Sequence, residues 1–560
     1  MKIFVAQQNY HIGNFEANTD KIIAAIEQAK ADGGDLIVFS ELSVCGYPPR
    51  DFLEFNDFIE SCLASIERIR QMADTIGVLV GCPSRNPTVE GKDLFNSAYF
   101  LYENKVQAVI NKTLLPNYDI FDEYRYFEPA YEWNVVHFKG KKLAVTICED
   151  IWNLTDNPMY RYCPMDKLIG QQPDIMVNLS ASPFDYVHAE GRKGIVKRNV
   201  RQYGLPMVYC NTIGAHTDIV FDGGSLVMDV KGNIVKEMPY FKEDMQYVIF
   251  NEDGTFSGEV VCPADKVPGL QLVPETLMPE KNIDAIHMAL LTGIRDYFRK
   301  MGFKKAIVAS SGGIDSAVVL ALASEALGAE NVNALLLPSQ FSTGHSVDDA
   351  VQLSQNLGGH YDIIAIKDVF AAYETALEPV FKGLPFNVAE ENLQSRIRGA
   401  MVMALSNKFG AILLNTSNKS ELSTGYGTLY GDMAGGLGIL GDLYKEQVYA
   451  LARYINRDRE IIPLNIITKA PSAELRPGQK DSDSLPDYPV LDPILYMYIE
   501  RRLSPKEIVA AGFDEALVKR IMKLVNTNEY KRNQFCPIIR VSPKSFGIGR
   551  RMPIEGKYLS

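Results

Sequence analysis

Three side chains of reactive type stand at the ends of apolar runs. Cys148 closes 142–148 (KLAVTIC) and is followed by Glu149 and Asp150. Glu41 follows 35–40 (DLIVFS) within SELSVCGYPPRD, and Lys112 follows the segment 97–111. A thiolate can attack an amide carbonyl, a carboxylate can take the thiol's proton, and an ammonium can stabilise the oxyanion that forms. Three such groups at three predicted strand exits point to one amide-cleaving constellation. The seven histidines form no cluster, and neither an HExxH nor a Ser–His–Asp signature competes.

A second chemistry is written further on. The predicted strand 305–310 (KAIVAS) runs into Ser311–Gly312–Gly313–Ile314–Asp315–Ser316, and a helix pattern follows. Paired glycines at a strand end let backbone amides approach a polyanion, and the helix N-terminus adds partial positive charge. The hydroxyls of Ser311 and Ser316 can donate to phosphate oxygens. Asp315 would repel phosphate unless it holds a cation, which implies Mg²⁺. The lysine of a Walker A loop is missing, so this is not an ordinary P-loop.

These groups need elements to position them. In the first half, strands are predicted at 2–8, 35–40, 77–82, 142–148, 174–179 and 206–211, with helices at 19–32 and 57–76. A hairpin is expected over 97–112, turning at Glu103–Asn104, and another over 224–250, turning at Lys231–Gly232–Asn233. This describes a layered α/β domain with mixed sheets. Prolines gather over 263–282 and periodicity fades, as in an interdomain linker. Beyond it, helix 281–300, strand 305–310, helix 315–327, strand 332–337, helix 345–357 and strand 361–366 alternate, which favours a doubly wound parallel sheet. The polar stretch 470–489 is expected to be a loop. At 560 residues the chain exceeds one core, and the expected domains are 1–262 and 283–560, joined by the linker 263–282.

Composition closes off some classes. A formal charge of −12 argues against a protein that neutralises nucleic-acid phosphates. No run approaches the ~18 consecutive apolar residues of a membrane span, and the first residues lack the apolar core of a signal peptide. The 8 cysteines are scattered without CxxC or finger spacing, as expected of reduced thiols in a cytoplasmic protein.

The motifs carry family resemblances. Glu41, Lys112 and Cys148 resemble the Glu–Lys–Cys triad of the nitrilase superfamily, over residues 1 to about 250. That likeness implies an α-β-β-α sandwich, with Cys148 as nucleophile and Glu41 as general base. Lys112 would stabilise the oxyanion beside a backbone amide after Cys148, and Glu123 would be a supporting carboxylate. Tyr118 and Ser182 match glutamine-contacting positions. The lysine usual six residues after that serine is replaced by His188, and the nearest lysine is Lys193; the basic residues from Arg192 to Arg201 otherwise read as a solvated helix face.

SGGIDS resembles the pyrophosphate loop of N-type ATP pyrophosphatases. Leu413 to Lys445, with Glu391 to Arg396 upstream, is similar to NAD synthetases. By that resemblance Ser310, Ser311, Gly312, Gly313, Ile314, Asp315, Ser316 and Thr416 contact ATP. Asp315 and Glu421 ligand Mg²⁺. Asn392, Arg396, Glu421, Asp432, Lys445 and Lys531 surround deamido-NAD. The two halves together resemble glutamine-dependent NAD synthetases, which implies glutamine, ATP and deamido-NAD as substrates and a homo-oligomer. Three alternatives stay open on sequence alone: an amidotransferase making GMP or asparagine, a synthetase on an inert nitrilase scaffold, and a binding or assembly protein without turnover.

Overall fold

A computed structural model describes residues 1–154, 159–269, 273–479 and 481–559. Residues 270–272 of the expected linker and residue 480 of the expected loop lie outside the described residues. The chain divides into two compact units. Unit 1 comprises Met1–Phe184, His188–His216 and Val220–Leu272; unit 2 comprises Asp185–Val187, Thr217–Ile219 and Val273–Ser560.

In unit 1 the strands are β1 (Lys2–Gln7), β2 (Leu36–Val38), β3 (Gly77–Arg85), β4 (Leu94–Tyr102), β5 (Lys105–Asn111), β6 (Val136–Phe138), β7 (Lys141–Ile147), β8 (Ile175–Ser180), β9 (Met207–Asn211), β10 (Ile213–His216), β11 (Ile219–Asp222), β12 (Leu226–Met228), β13 (Ile234–Glu237), β14 (Asp244–Phe250) and β15 (Phe256–Ser257). Of β11, only Val220–Asp222 belong to this unit by contact. Two mixed sheets form, with orders β15-β14-β1-β2-β3-β4-β5 and β13-β12-β9-β8-β7-β6. Their facing residues interleave in one core: Ile3, Val5, Val38, Leu79 and Phe100 from the first sheet meet Leu143, Val145, Ile147, Val177 and Val208 from the second. The alternate residues of the second sheet, Ala144, Met176 and Tyr209, pack beneath Ile195, Val196 and Val200 of the helix His188–Tyr203. Helices Phe15–Ala31 and Asn56–Met72 pack together, the latter against β3. Period-two patterning with both faces apolar therefore yields the expected α-β-β-α sandwich.

The hairpin β4–β5 turns at Glu103 and Asn104, both at positive φ, as the sequence reading placed it. The expected hairpin over 224–250 is only half correct. β12 and β13 pair across the Lys231–Asn233 turn, but β14 leaves for the other sheet and runs antiparallel to β1, Lys2 opposite Ile249. An alternating strand does not specify which neighbour completes its ladder.

Unit 2 is built on five parallel strands, β16 (Ala306–Ala309), β17 (Val332–Leu336), β18 (His360–Ile363), β19 (Ile412–Asn415) and β20 (Leu437–Gly438), in the order β18-β17-β16-β19-β20. The order reverses direction between β16 and β19. At such a switch point the two adjacent connections diverge to opposite faces and leave a crevice at the carboxyl ends. A separate apolar cluster ties helices Tyr488–Ile499, Pro505–Ala510 and Glu515–Thr527 together through Leu491, Ile494, Ile508, Ile521 and Val525.

Candidate active sites

The exits of β2, β5 and β7 in unit 1 bring the three expected residues to one buried cluster. Lys112 Nζ donates to Glu41 Oε1 at 2.7 Å and to both oxygens of Glu123 at 2.8 Å. All three side chains are buried. Glu41 Oε2 accepts the Ala181 amide at 3.0 Å, and Tyr47 Oη donates to Glu123 Oε1 at 2.8 Å. Close approach makes this possible: a Cβ on Gly81 of β3 would lie 2.3 Å from the Leu42 nitrogen, so only glycine lets the Glu41 segment lie against the strand.

Cys148 sits one residue past β7 with φ of 41°, a left-handed conformation that costs a non-glycine residue about 1–3 kcal/mol. Asp150 holds the turn in place: its Oδ2 accepts the Ile147 amide at 3.0 Å, and its Oδ1 accepts those of Thr113 at 3.0 Å and Leu114 at 2.8 Å. One carboxylate thus locks the Cys148 turn to the segment that follows Lys112. Burial pushes the Cys148 thiol well above its ordinary range; Glu41 adds to this and Lys112 opposes it. The resting sulfur is therefore a thiol that needs a base. Burial would push Lys112 down, but the Glu123 and Glu41 carboxylates raise it well above its usual value, so it stays an ammonium. Burial raises Glu123 to about 7, with Lys112 opposing and Glu41 adding.

Around this cluster Tyr118 Oη donates to Glu149 Oε1 at 2.9 Å, as does Tyr160 Oη at 3.1 Å. Burial holds Glu149 up at about 7. Ser182 Oγ lies 2.8 Å from His188 Nε2, and the His188 ring stacks on Trp152 with centroids 5.2 Å apart. His188 thus occupies the place beside Ser182, whereas Lys193 pairs with Glu237 at 2.5 Å. Arg192 corrects the expectation of a solvated basic face. It is buried and donates to both oxygens of Asp222, at 2.7 and 2.9 Å, because this side of the helix faces the second sheet.

In unit 2 the loop after β16 and the residues after β19 line a cavity of about 300 Å³. Ser310, Ser311, Gly313, Ile314, Asp315, Ser316, Thr416, Glu421, Asp432 and Lys445 all line it. Gly312 shapes the loop from behind, with φ of 77° and a virtual Cβ only 2.1 Å from the Ser346 carbonyl oxygen. Ser316 Oγ donates to the Gly313 carbonyl at 3.0 Å, and the Gly313 amide donates to Ser311 Oγ at 3.2 Å. Ser310 Oγ is buried with no partner among the described residues, a hydroxyl left for something in the cavity.

Lys445 Nζ lies 2.5 Å from Asp315 and 3.5 Å from Glu421. Burial raises Glu421 to about 8; Asp315 adds to this, and Lys445 opposes it. Asp481, also on the cavity, is raised by burial as well. Carboxyl groups thus outnumber the local amine. Among the described residues no group of three or more metal-type side chains is gathered to hold an ion alone. A divalent cation that takes one or two carboxylates and completes its shell from phosphate and water fits Asp315 and Glu421.

Three expected contacts stand apart from the cavity lining. Asn392 Oδ1 accepts Thr428 Oγ1 at 2.7 Å, exposed Arg396 donates to the Leu429 carbonyl at 3.2 Å, and Lys531 Nζ donates to the Gly425 and Gly427 carbonyls at 2.8 Å. They fasten the Gly425–Leu429 loop. Sequence reasoning missed Arg398, which lines the cavity and donates to the Leu337 carbonyl at 3.0 Å. It also missed Asn418, whose Nδ2 donates to Asp315 Oδ1 at 2.9 Å. Asn418 and Glu421 form a reciprocal capping box, and the spacing N-x-x-E was a readable signal for it. The described residues of the expected loop at 470–489 are irregular up to Asp487, apart from a short turn at Asp481–Asp483, and helical from Tyr488. Glu474 on it accepts Ser346 Oγ at 2.7 Å.

With this geometry in hand, comparison with known proteins is informative. Residues 2–167 match the carbon-nitrogen hydrolase family and residues 286–535 the NAD synthase family. A glutamine-dependent NAD(+) synthetase of Synechocystis sp. is 43% identical over 99% of this chain and 98% of its own length. One of Thermotoga maritima is 40% identical over 100% and 99%. The structure of glutamine-dependent NAD+ synthetase from Acinetobacter baumannii in complex with adenosine diphosphate is 37% identical, with TM-score 0.76 over 99% of this chain and 98% of that one. Full-length likeness at this level shows the family: the chain belongs to the glutamine-dependent NAD(+) synthetases.

Proposed function

We propose that this enzyme hydrolyses glutamine in unit 1 and uses the ammonia in unit 2 to convert deamido-NAD to NAD at the expense of ATP. The observation that carries this reading is the coexistence, in one chain, of a buried thiol beside a Lys–Glu–Glu cluster and a phosphate loop at a sheet switch point. An amidase site and a nucleotide-activating site in one polypeptide make sense when the first supplies the nucleophile for the second.

In unit 1, Glu41 takes the Cys148 proton as sulfur attacks the side-chain carbonyl carbon of glutamine. Lys112 stabilises the oxyanion, ammonia leaves with the proton held by Glu41, and water hydrolyses the thioester to glutamate. Tyr118 and Ser182 hold the amino-acid end of glutamine. In unit 2, the nicotinate carboxylate attacks the α-phosphate of ATP and releases pyrophosphate; ammonia then displaces AMP from the mixed anhydride. Ser310 to Ser316 and Thr416 hold the nucleotide, while Asn392, Arg396, Asp432, Lys445 and Lys531 serve the dinucleotide. Asp315 and Glu421 would hold Mg²⁺, which supplies charge neutralisation at the phosphates when bound. Functional domains at 1–262 and 283–560 with a linker at 263–282, a homo-oligomeric assembly and a cytoplasmic location complete the proposal. No described helix is long and apolar enough to cross a membrane.

The test is NAD formation from deamido-NAD, ATP and Mg²⁺ with glutamine or ammonium as nitrogen source. In Cys148→Ala the glutamine-supported rate is expected to fall by at least about 1,000-fold, with the ammonium-supported rate within about threefold of the parent. Loss of both rates, or of neither, would refute the assignment.

A further inference from the structure

The buried cluster in unit 1 sets two carboxylates against one ammonium, so a single unit of negative charge is left over when both are ionised. Carboxylates at such a separation repel, and the usual relief is for one of them to take a proton. Burial raises Glu123 to about 7, so Glu123 is the group that takes it, and what a general base at Glu41 needs is fixed placement. Another residue meets both groups. Asn96, fully buried on β4, donates from Nδ2 to Glu41 Oε1 at 2.7 Å and to Glu123 Oε2 at 3.3 Å. A carboxamide nitrogen has two N–H bonds, and this one directs them at two different carboxylates. Its backbone is engaged as well, since the Lys112 amide donates to the Asn96 carbonyl at 2.8 Å. Glu41, Lys112, Glu123 and Asn96 therefore close a ring in which each carboxylate accepts from one ammonium and one amide. Asn96 Oδ1 is buried without a partner among the described residues, so the polar interactions of this side chain are those of its nitrogen. Two N–H bonds from one rigid amide fix where both carboxylates lie, and an amide does this without adding charge to the cluster.

We infer that Asn96 is a positioning residue for glutamine hydrolysis, one that holds the Glu41 carboxylate in place to accept the Cys148 proton. The inference rests on the reading of Glu41 and Cys148 as base and nucleophile. Asn96→Leu removes both N–H donors at similar volume, and Asn96→Asp keeps the shape while leaving at most one O–H donor for two carboxylates. In both variants kcat for glutamine hydrolysis is expected to drop by about 10- to 100-fold, with KM for glutamine within about threefold. Ammonium-supported NAD synthesis should stay within about twofold in both. A native kcat in Asn96→Leu overturns the inference. So does a parallel loss of ammonium-supported synthesis in both variants, because the side chain would then be holding the fold rather than the base. Cys148→Ala measured alongside separates the two readings. If it retains glutamine use, the thiol mechanism falls and takes this inference with it; if it loses glutamine use while Asn96→Leu behaves as the parent, this inference alone is wrong.

Discussion

At the scale of single residues, the chemistry of unit 1 depends on how charge is shared around Lys112. Glu123 receives its ammonium through both oxygens, yet burial still raises the carboxyl to about 7. Below that pH Glu123 takes a proton and Lys112 loses one of two anionic partners. Glutamine hydrolysis by the parent should therefore decline as pH falls through about 7. Glu123→Gln should lower the plateau by about 10- to 100-fold and abolish that decline, which a pH–rate profile would show; an unaltered acid limb would rule out this role. Glu41, Lys112 and Cys148 were legible because each reactive side chain interrupts an otherwise apolar strand exit. Asn96 and Asp150 were not. Asn96 lies inside β4, where a polar residue ordinarily marks a solvent face, and Asp150 reads as one more acidic turn residue until its three amide partners are seen. Lys193 illustrates the limit of proximity in sequence, since helix phase sends it to Glu237 while His188 meets Ser182.

Among elements, the helix Lys445–Ile455 depends on a carboxylate supplied by another helix. Asp492 accepts the Glu446 amide at 2.9 Å and Ser420 Oγ at 2.5 Å, while the Lys445 amide donates to Ser420 Oγ at 3.0 Å. One buried aspartate thereby ties the helices Lys419–Thr424, Lys445–Ile455 and Tyr488–Ile499, and two of these carry Glu421 and Lys445. Burial raises Asp492 to about 7, well above the ordinary carboxylate range that applies in the unfolded chain. Its favourable contribution is therefore whole below about pH 4 and is lost as pH rises through about 7. Asp492→Asn has no such proton to lose. Between pH 5.5 and 8 the melting temperature of the parent should fall relative to Asp492→Asn by about 4 °C; parallel melting curves across that range would contradict the argument. Helix and strand periods disclosed the predicted elements as far as β18 to within a few residues, and these three helices were not among them. They did not disclose that β14 belongs beside β1, because alternation assigns faces and leaves the partner to long-range packing.

For the molecule as a whole, the two chemistries sit in units with separate cores, so each can be disabled alone. Gly312→Ala should block the Ser346 approach and lower NAD formation by at least about 100-fold with either nitrogen source, while glutamine hydrolysis stays within about threefold. Loss of hydrolysis in equal measure would show that the units cannot be separated in this way. The division into an amidase-like half and a nucleotide-activating half was readable from motif placement. The switch point between β16 and β19 was not, since strand order is set by which faces find cover and β19 lies a hundred residues downstream of β16. The pairing of β1 with β14 also bears on how the protein is made. Strand β1 lies inside its sheet and is flanked there by a strand that ends at Phe250. Until β14 has been synthesised, then, one edge of Lys2–Gln7 has no native neighbour. Such an edge invites pairing with another nascent chain, so unit 1 is the part of this polypeptide for which slow elongation and chaperone cover matter most.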